Sequence, residues 1–133
     1  MSIYSTFETD AASEADGIKL DFGDFSFVVA RAGGANKKFE QALKKRLDRY
    51  KRMIDFDALP EATARKAMIE VYAETVVLGW DGVTGPDEQP IAFSRDACVK
   101  LFTELPGLFD VVREESGKLS NFLAKNRADR AGN

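Results

Sequence analysis

A short alternating tract constrains this chain more than any other feature. Ile18, Leu20 and Phe22 alternate with Lys19 and Asp21, and Phe25, Phe27 and Val29 alternate with Ser26 and Val28. Alternation puts one set of side chains on one face of a strand. Gly23-Asp24 separates the two runs as a two-residue hairpin turn, which wants positive φ at its first centre. That turn sets Phe22 against Phe25, Leu20 against Phe27 and Ile18 against Val29, all on one face. A lone hairpin is marginal in water, so this face must lie on helices or on another chain.

The rest of the chain reads as helical. Ala32-Gly33-Gly34-Ala35 breaks the strand, and Asn36 suits an N-cap. From Lys37 to about Met53, Phe39, Leu43, Leu47, Tyr50 and Ile54 recur at helical spacing as a narrow apolar stripe on a basic rod. Pro60 opens a second helix that reaches about Leu78, with Ala64, Met68, Val71, Tyr72, Thr75 and Val76 inward and Gly79 as its stop. The stretch from Trp80 to Phe93, punctuated by Gly82, Gly85, Pro86 and Pro90, reads as a loop of a length that tends to carry function. Ser94 caps a third helix, with Cys98, Leu101, Phe102 and Leu105 inward, and Pro106-Gly107 ends it. A fourth helix from about Leu108 presents Val112, Leu119, Phe122 and Leu123. The expected fold is mainly α with an N-terminal β-hairpin, about four helices, and a long loop between helices two and three. Residues 17–124 are expected to form a single globular domain, flanked by flexible tails at 1–16 and 125–133.

Composition narrows the chemistry. With 44% apolar and 31% charged residues in 133, the chain can build a core and is not disordered. No apolar run approaches the about 18 residues of a membrane span. Zero histidines and one cysteine remove most zinc sites, the Ser-His-Asp and Cys-His nucleophile arrangements, and an intrachain disulfide framework. A lone thiol fits a reducing cytoplasm, and residues 1–16 hold four acids and no base, unlike a secretory or mitochondrial signal. The expectation is a soluble intracellular protein that is not an enzyme and uses no cofactor or metal. Asp21-Phe22-Gly23 matches the kinase metal-binding tripeptide by chance, because the rest of that signature is missing. Asp81, Asp87 and Glu88 lack the spacing of a calcium loop. Cys98 falls on an inward helix face and reads as a small core residue.

Charge is segregated. Residues 35–53 hold eight basic and two acidic side chains, net +6, whereas residues 54–93 hold two and eight, net −6. The basic segment, with Lys44, Lys45 and Arg49 at its centre, suits either an acidic protein partner or, as the alternative, a small nucleic-acid-binding or regulatory module. The bases wrap most of the helix outside the apolar stripe and the whole chain is acidic, which disfavours nucleic acid. Trp80 at the start of the long loop, and Phe93 at its end, are candidate binding anchors. The hairpin aromatics Phe25 and Phe27 either pack inside or pair with another subunit.

Two stretches resemble a known family. Phe27-Val28-Val29-Ala30-Arg31-Ala32-Gly33-Gly34-Ala35-Asn36-Lys37-Lys38-Phe39 is similar to an entry found in small tail-region proteins of siphophages. Val77-Leu78-Gly79-Trp80-Asp81-Gly82-Val83, then Ile91-Ala92-Phe93-Ser94, then Leu101 to Phe109, then Leu119-Ser120-Asn121-Phe122, resembles the motif order of siphophage tail assembly chaperones. The resemblance covers about residues 17–123. It implies a mostly helical, non-enzymatic chaperone in the host cell cytoplasm. Such a protein would bind the hydrophobic tape measure protein, keep it soluble and help recruit the tail tube protein, acting as a homo-oligomer and in some cases also made in a longer frameshifted form.

Overall fold

The computed structural model describes residues 2–127. The part of the expected C-terminal tail beyond 127, and Met1, lie outside the described residues. Along the chain run α1 (Ile3–Phe7), α2 (Ala11–Asp16), β1 (Ile18–Asp21), β2 (Ser26–Val29), α3 (Lys37–Arg49), α4 (Lys51–Asp55), α5 (Glu61–Thr75), β3 (Val77–Asp81), α6 (Arg95–Glu104) and α7 (Pro106–Gly117). Two 3₁₀ turns, Leu119–Phe122 and Ala124–Asn126, follow.

The hairpin register follows from the alternation: Ile18 opposes Val29, Leu20 opposes Phe27, and the Phe22 amide donates to the Phe25 carbonyl at 2.9 Å. Gly23 takes φ +97°, which a side chain would resist, so the turn closes where the sequence allows it. The fold class nevertheless differs from the expected one. Seven α-helices occur among the described residues, not about four, and the hairpin is part of a three-stranded antiparallel sheet in the middle of the chain, ordered β1-β2-β3.

Each departure has a local cause. Helix α1 begins where the Ser2 hydroxyl accepts from the Ser5 amide, but five residues are too few to show a helical period. Helices α3 and α4 are separated at Tyr50 (φ −102°, ψ 10°), so the basic rod bends. Helix α5 stops at Thr75 rather than near Leu78, because Thr75-Val76-Val77 is a β-branched run and β2 offers a free edge. Residues 77–81 pair there, with Phe27 opposite Trp80 and a bulge at Val28/Val29. The long loop between helices two and three is thereby shortened by a strand. Its remainder folds back on itself, with the Ile91 amide donating to the Val83 carbonyl at 2.9 Å. Pro106 sits in the first turn of α7, where its missing N–H costs nothing.

Inside, rings connect the sheet to the helices. Phe27, fully buried, lies 5.4 Å from Trp80 and 6.4 Å from Phe102 between ring centroids. Phe102 meets Phe109 at 5.3 Å, Phe109 meets Tyr72 at 5.4 Å, and Tyr72 meets Phe39 at 5.5 Å. Around this row pack Val29, Val71, Val76, Val112, Cys98 and Phe122. The stretch before the hairpin is tied down by charge. Buried Glu14 pairs with Arg31 at the exit of β2 and accepts from the Thr9 hydroxyl at 3.2 Å. Asn36 makes no side-chain cap bond; its Nδ2 instead donates to the Arg31 and Thr75 carbonyls, both at 2.9 Å. One buried amide so joins the end of the hairpin to the end of α5.

Candidate partner-binding surface

The residues singled out in the sequence fall into three places. Trp80 and Phe93 meet edge to face at 5.0 Å, and both are half-buried. The Trp80 indole Nε1–H donates to the Ile91 carbonyl at 2.8 Å. Position 80 belongs to β3, and its ring leans on Phe27, so this pair fastens the 82–93 loop to the sheet. Phe27 is wholly inside, while Phe25 stacks on Phe22 at 4.9 Å and stays half-buried at the hairpin tip.

Lys44, Lys45 and Arg49 are exposed on α3, as the basic-rod reading requires. Arg46 differs: its guanidinium reaches Glu74 on α5 at 3.3 Å, and Arg95 bonds the same carboxylate oxygen at the same distance. That cluster anchors α3 to α5 and leaves the remaining bases turned to solvent.

The apolar stripe on α3 does not stay buried along its length. Phe39 is buried and Leu43 half-buried, but Leu47 and Ile54 are exposed. Beyond the bend at Tyr50, α4 packs on little besides α3. Met53 is exposed too, and Phe56 is 77% exposed. Arg49, Tyr50, Arg52, Met53, Phe56 and Ala58 line an open depression of about 560 Å³. This elbow, apolar in the middle and basic at the rim, was not singled out by sequence reasoning. The signal lay in Met53, Ile54 and Phe56, which crowd at the junction of the basic segment and the acidic one, just ahead of Pro60. Single exposed hydrophobes are ordinary, but a group of them around one depression marks an interaction surface.

A second apolar concavity opens at the hairpin tip. Asp24, Phe25, Leu101, Leu105 and Leu108 are among the residues lining a groove of about 300 Å³. Leu105 was expected to face inward on the third helix, yet it is 52% exposed at the end of α6. Cys98 is buried on α6, and burial pushes its thiol up to about 12, so it packs as a protonated core residue. Among the described residues no group of three or more His, Cys, Asp or Glu is placed to hold a metal ion, and no helix is long and apolar enough to cross a membrane.

Residues 34–133 match the family described as YdaY prophage protein. No curated protein and no solved structure gives a significant match. The matched span takes in the basic elbow, β3 and both helices of the groove, but leaves out the hairpin.

Proposed function

This chain belongs to the YdaY prophage protein family, which makes it phage-derived, and from that premise we propose that it is a non-enzymatic tail assembly chaperone. In this reading it binds apolar segments of the tape measure protein in the host cell cytoplasm, keeps that protein soluble as a homo-oligomer, and helps recruit the tail tube protein. The observation that carries the reading is the elbow of α3 and α4. Leu47 and Met53 stand in solvent within the basic segment 35–53, and Ile54 and Phe56 stand in solvent directly after it. Such a surface attracts a client electrostatically and then buries its apolar side chains. Lys44, Lys45 and Arg49 supply the attraction, while Trp80 and Phe93 hold the loop beside the groove.

The test is suppression of aggregation. Denatured tape measure protein is diluted into buffer with the purified chain, and light scattering is followed. The wild type should suppress scattering, and a Met53→Asp, Phe56→Asp double variant should not. Scattering that is unaffected by the wild type would sink the reading. Retention of an oligonucleotide at about 0.15 M salt, falling steeply as salt rises, would favour the nucleic-acid module instead.

A further inference from the structure

We propose that the groove at the hairpin tip is the docking site for the α3–α4 elbow of a second copy of this chain, so that copies join head to tail. The two surfaces are both apolar and are opposite in net charge. The groove is a concavity of about 300 Å³ floored by Phe25, Leu101, Leu105 and Leu108. A cavity half that size accepts a benzene ring. The most exposed apolar side chain of the elbow is an aromatic one, Phe56, whose ring stands 77% in solvent at the edge of its depression and is the knob of the contact.

Charge separates the two in the same sense. Residues 20–30 and 81–94, which build the tip and the loop beside it, carry five acids (Asp21, Asp24, Asp81, Asp87, Glu88) and no base. All five are exposed. On α6, which lends Leu101 to the groove, exposed Lys100 is offset by exposed Glu104, and Arg65 on α5 is already paired with Asp110 at 2.9 Å. The elbow, residues 44–58, has six bases against three acids, and one of the bases, Arg46, is committed to Glu74. The bases of the elbow lie on α3 and α4 before Phe56, which is itself flanked by Asp55 and Asp57, and Asp24 is the acid that lines the socket. Knob and socket do not fill each other within one chain, since Phe56 and Leu105 both stay in solvent.

The contact is heterologous: each copy offers its knob to one neighbour and its socket to the other. It does not depend on the chaperone reading, because it is measured on the purified chain with no client. If both hold, a client competes with the neighbouring copy for the elbow.

Light-scattering mass across a concentration series tests it with two surface variants, Phe56→Asp (knob lost) and Leu105→Asp (socket lost). Far-UV circular dichroism checks that both are folded. The wild type should exceed the single-chain mass of 14.7 kDa, and each variant alone should return to it. Mixed, the two variants should form a one-to-one pair of twice that mass, since each keeps the half the other lacks. Three results would overturn the proposal: a monomeric wild type, a variant that associates like the wild type, or a mixture that stays monomeric. A monomeric chain whose groove binds a basic apolar peptide of another protein would give the socket to that protein instead.

Discussion

Replacing Phe27 with alanine tests the core on which both surfaces are mounted. Truncating a buried phenylalanine costs about 3–5 kcal/mol, the lost transfer energy plus the cavity left behind. Phe27 is 0% exposed and has four aromatic neighbours, Trp80, Phe22, Phe25 and Phe102, at centroid distances from 5.4 to 6.4 Å. Well-placed aromatic pairs contribute roughly 0.5–1.5 kcal/mol beyond area burial. The backbone here is locked between two strands, so the hole cannot collapse easily. The upper end, about 4–5 kcal/mol, therefore applies. Against a total stability of about 5–15 kcal/mol that is a large fraction. With a urea slope of about 2 kcal/mol per molar, the midpoint should fall by roughly 2 M. Far-UV circular dichroism is the suitable readout, because Trp80 fluorescence would report the substitution itself. Phe56→Ala is the control and should cost under about 0.5 kcal/mol, since that ring is in solvent. A Phe27→Ala cost below about 1 kcal/mol, or an equal cost for Phe56→Ala, would refute this placement of the core.

Three further outcomes are expected. Gly34→Ala should destabilise the fold by roughly 2–4 kcal/mol in urea titrations, because φ is +53° and the new methyl would strike the Glu14 carboxylate and force it off Arg31; Glu14→Gln, which breaks the same ion pair, should cost a similar amount. Burial raises the Cys98 thiol to about 12 and the Tyr72 phenol above its usual value, so the unfolded chain gives up protons first and stability should fall as pH rises from about 9 toward 12, by at most ~1.4 kcal/mol per pH unit for each group. Urea midpoints measured across that range check this, and Cys98→Ala should flatten the slope that begins near pH 9. Reversing Lys44, Lys45 and Arg49 to glutamate should leave the urea midpoint nearly unchanged, since the three are exposed, while weakening capture of an acidic apolar client in a pull-down.

The parts of this fold legible in the sequence are those fixed by near neighbours. The hairpin register was readable because alternation and a two-residue turn leave one solution, and Ser94 was readable as a cap because it bonds the Ala97 amide three residues on. Strand β3 was hidden because its partner, β2, lies some fifty residues earlier and Gly79 resembles a helix stop. Helix α1 was hidden because five residues show no period, and α2 because it is held by Glu14 and Asp10 contacts to Arg31 and Arg127, not by a period of its own. For the site, exposed Lys44, Lys45 and Arg49 follow from composition alone. The elbow does not, because the same spacing that buries Phe39 continues through Leu47 and Ile54, and only tertiary packing decides where the stripe leaves the core. Trp80, expected as a binding anchor, has its indole engaged by Ile91 and Phe93.

The central claim, that this phage-derived chain keeps a hydrophobic tail protein soluble, is tested most directly by co-expression with the tape measure protein of the same prophage. The soluble fraction of that protein is quantified with the wild-type chain, with a Met53→Asp, Phe56→Asp variant that remains folded, and with no partner. A high soluble fraction with the wild type alone is the result expected. Equal insolubility with and without the wild-type chain would contradict the account.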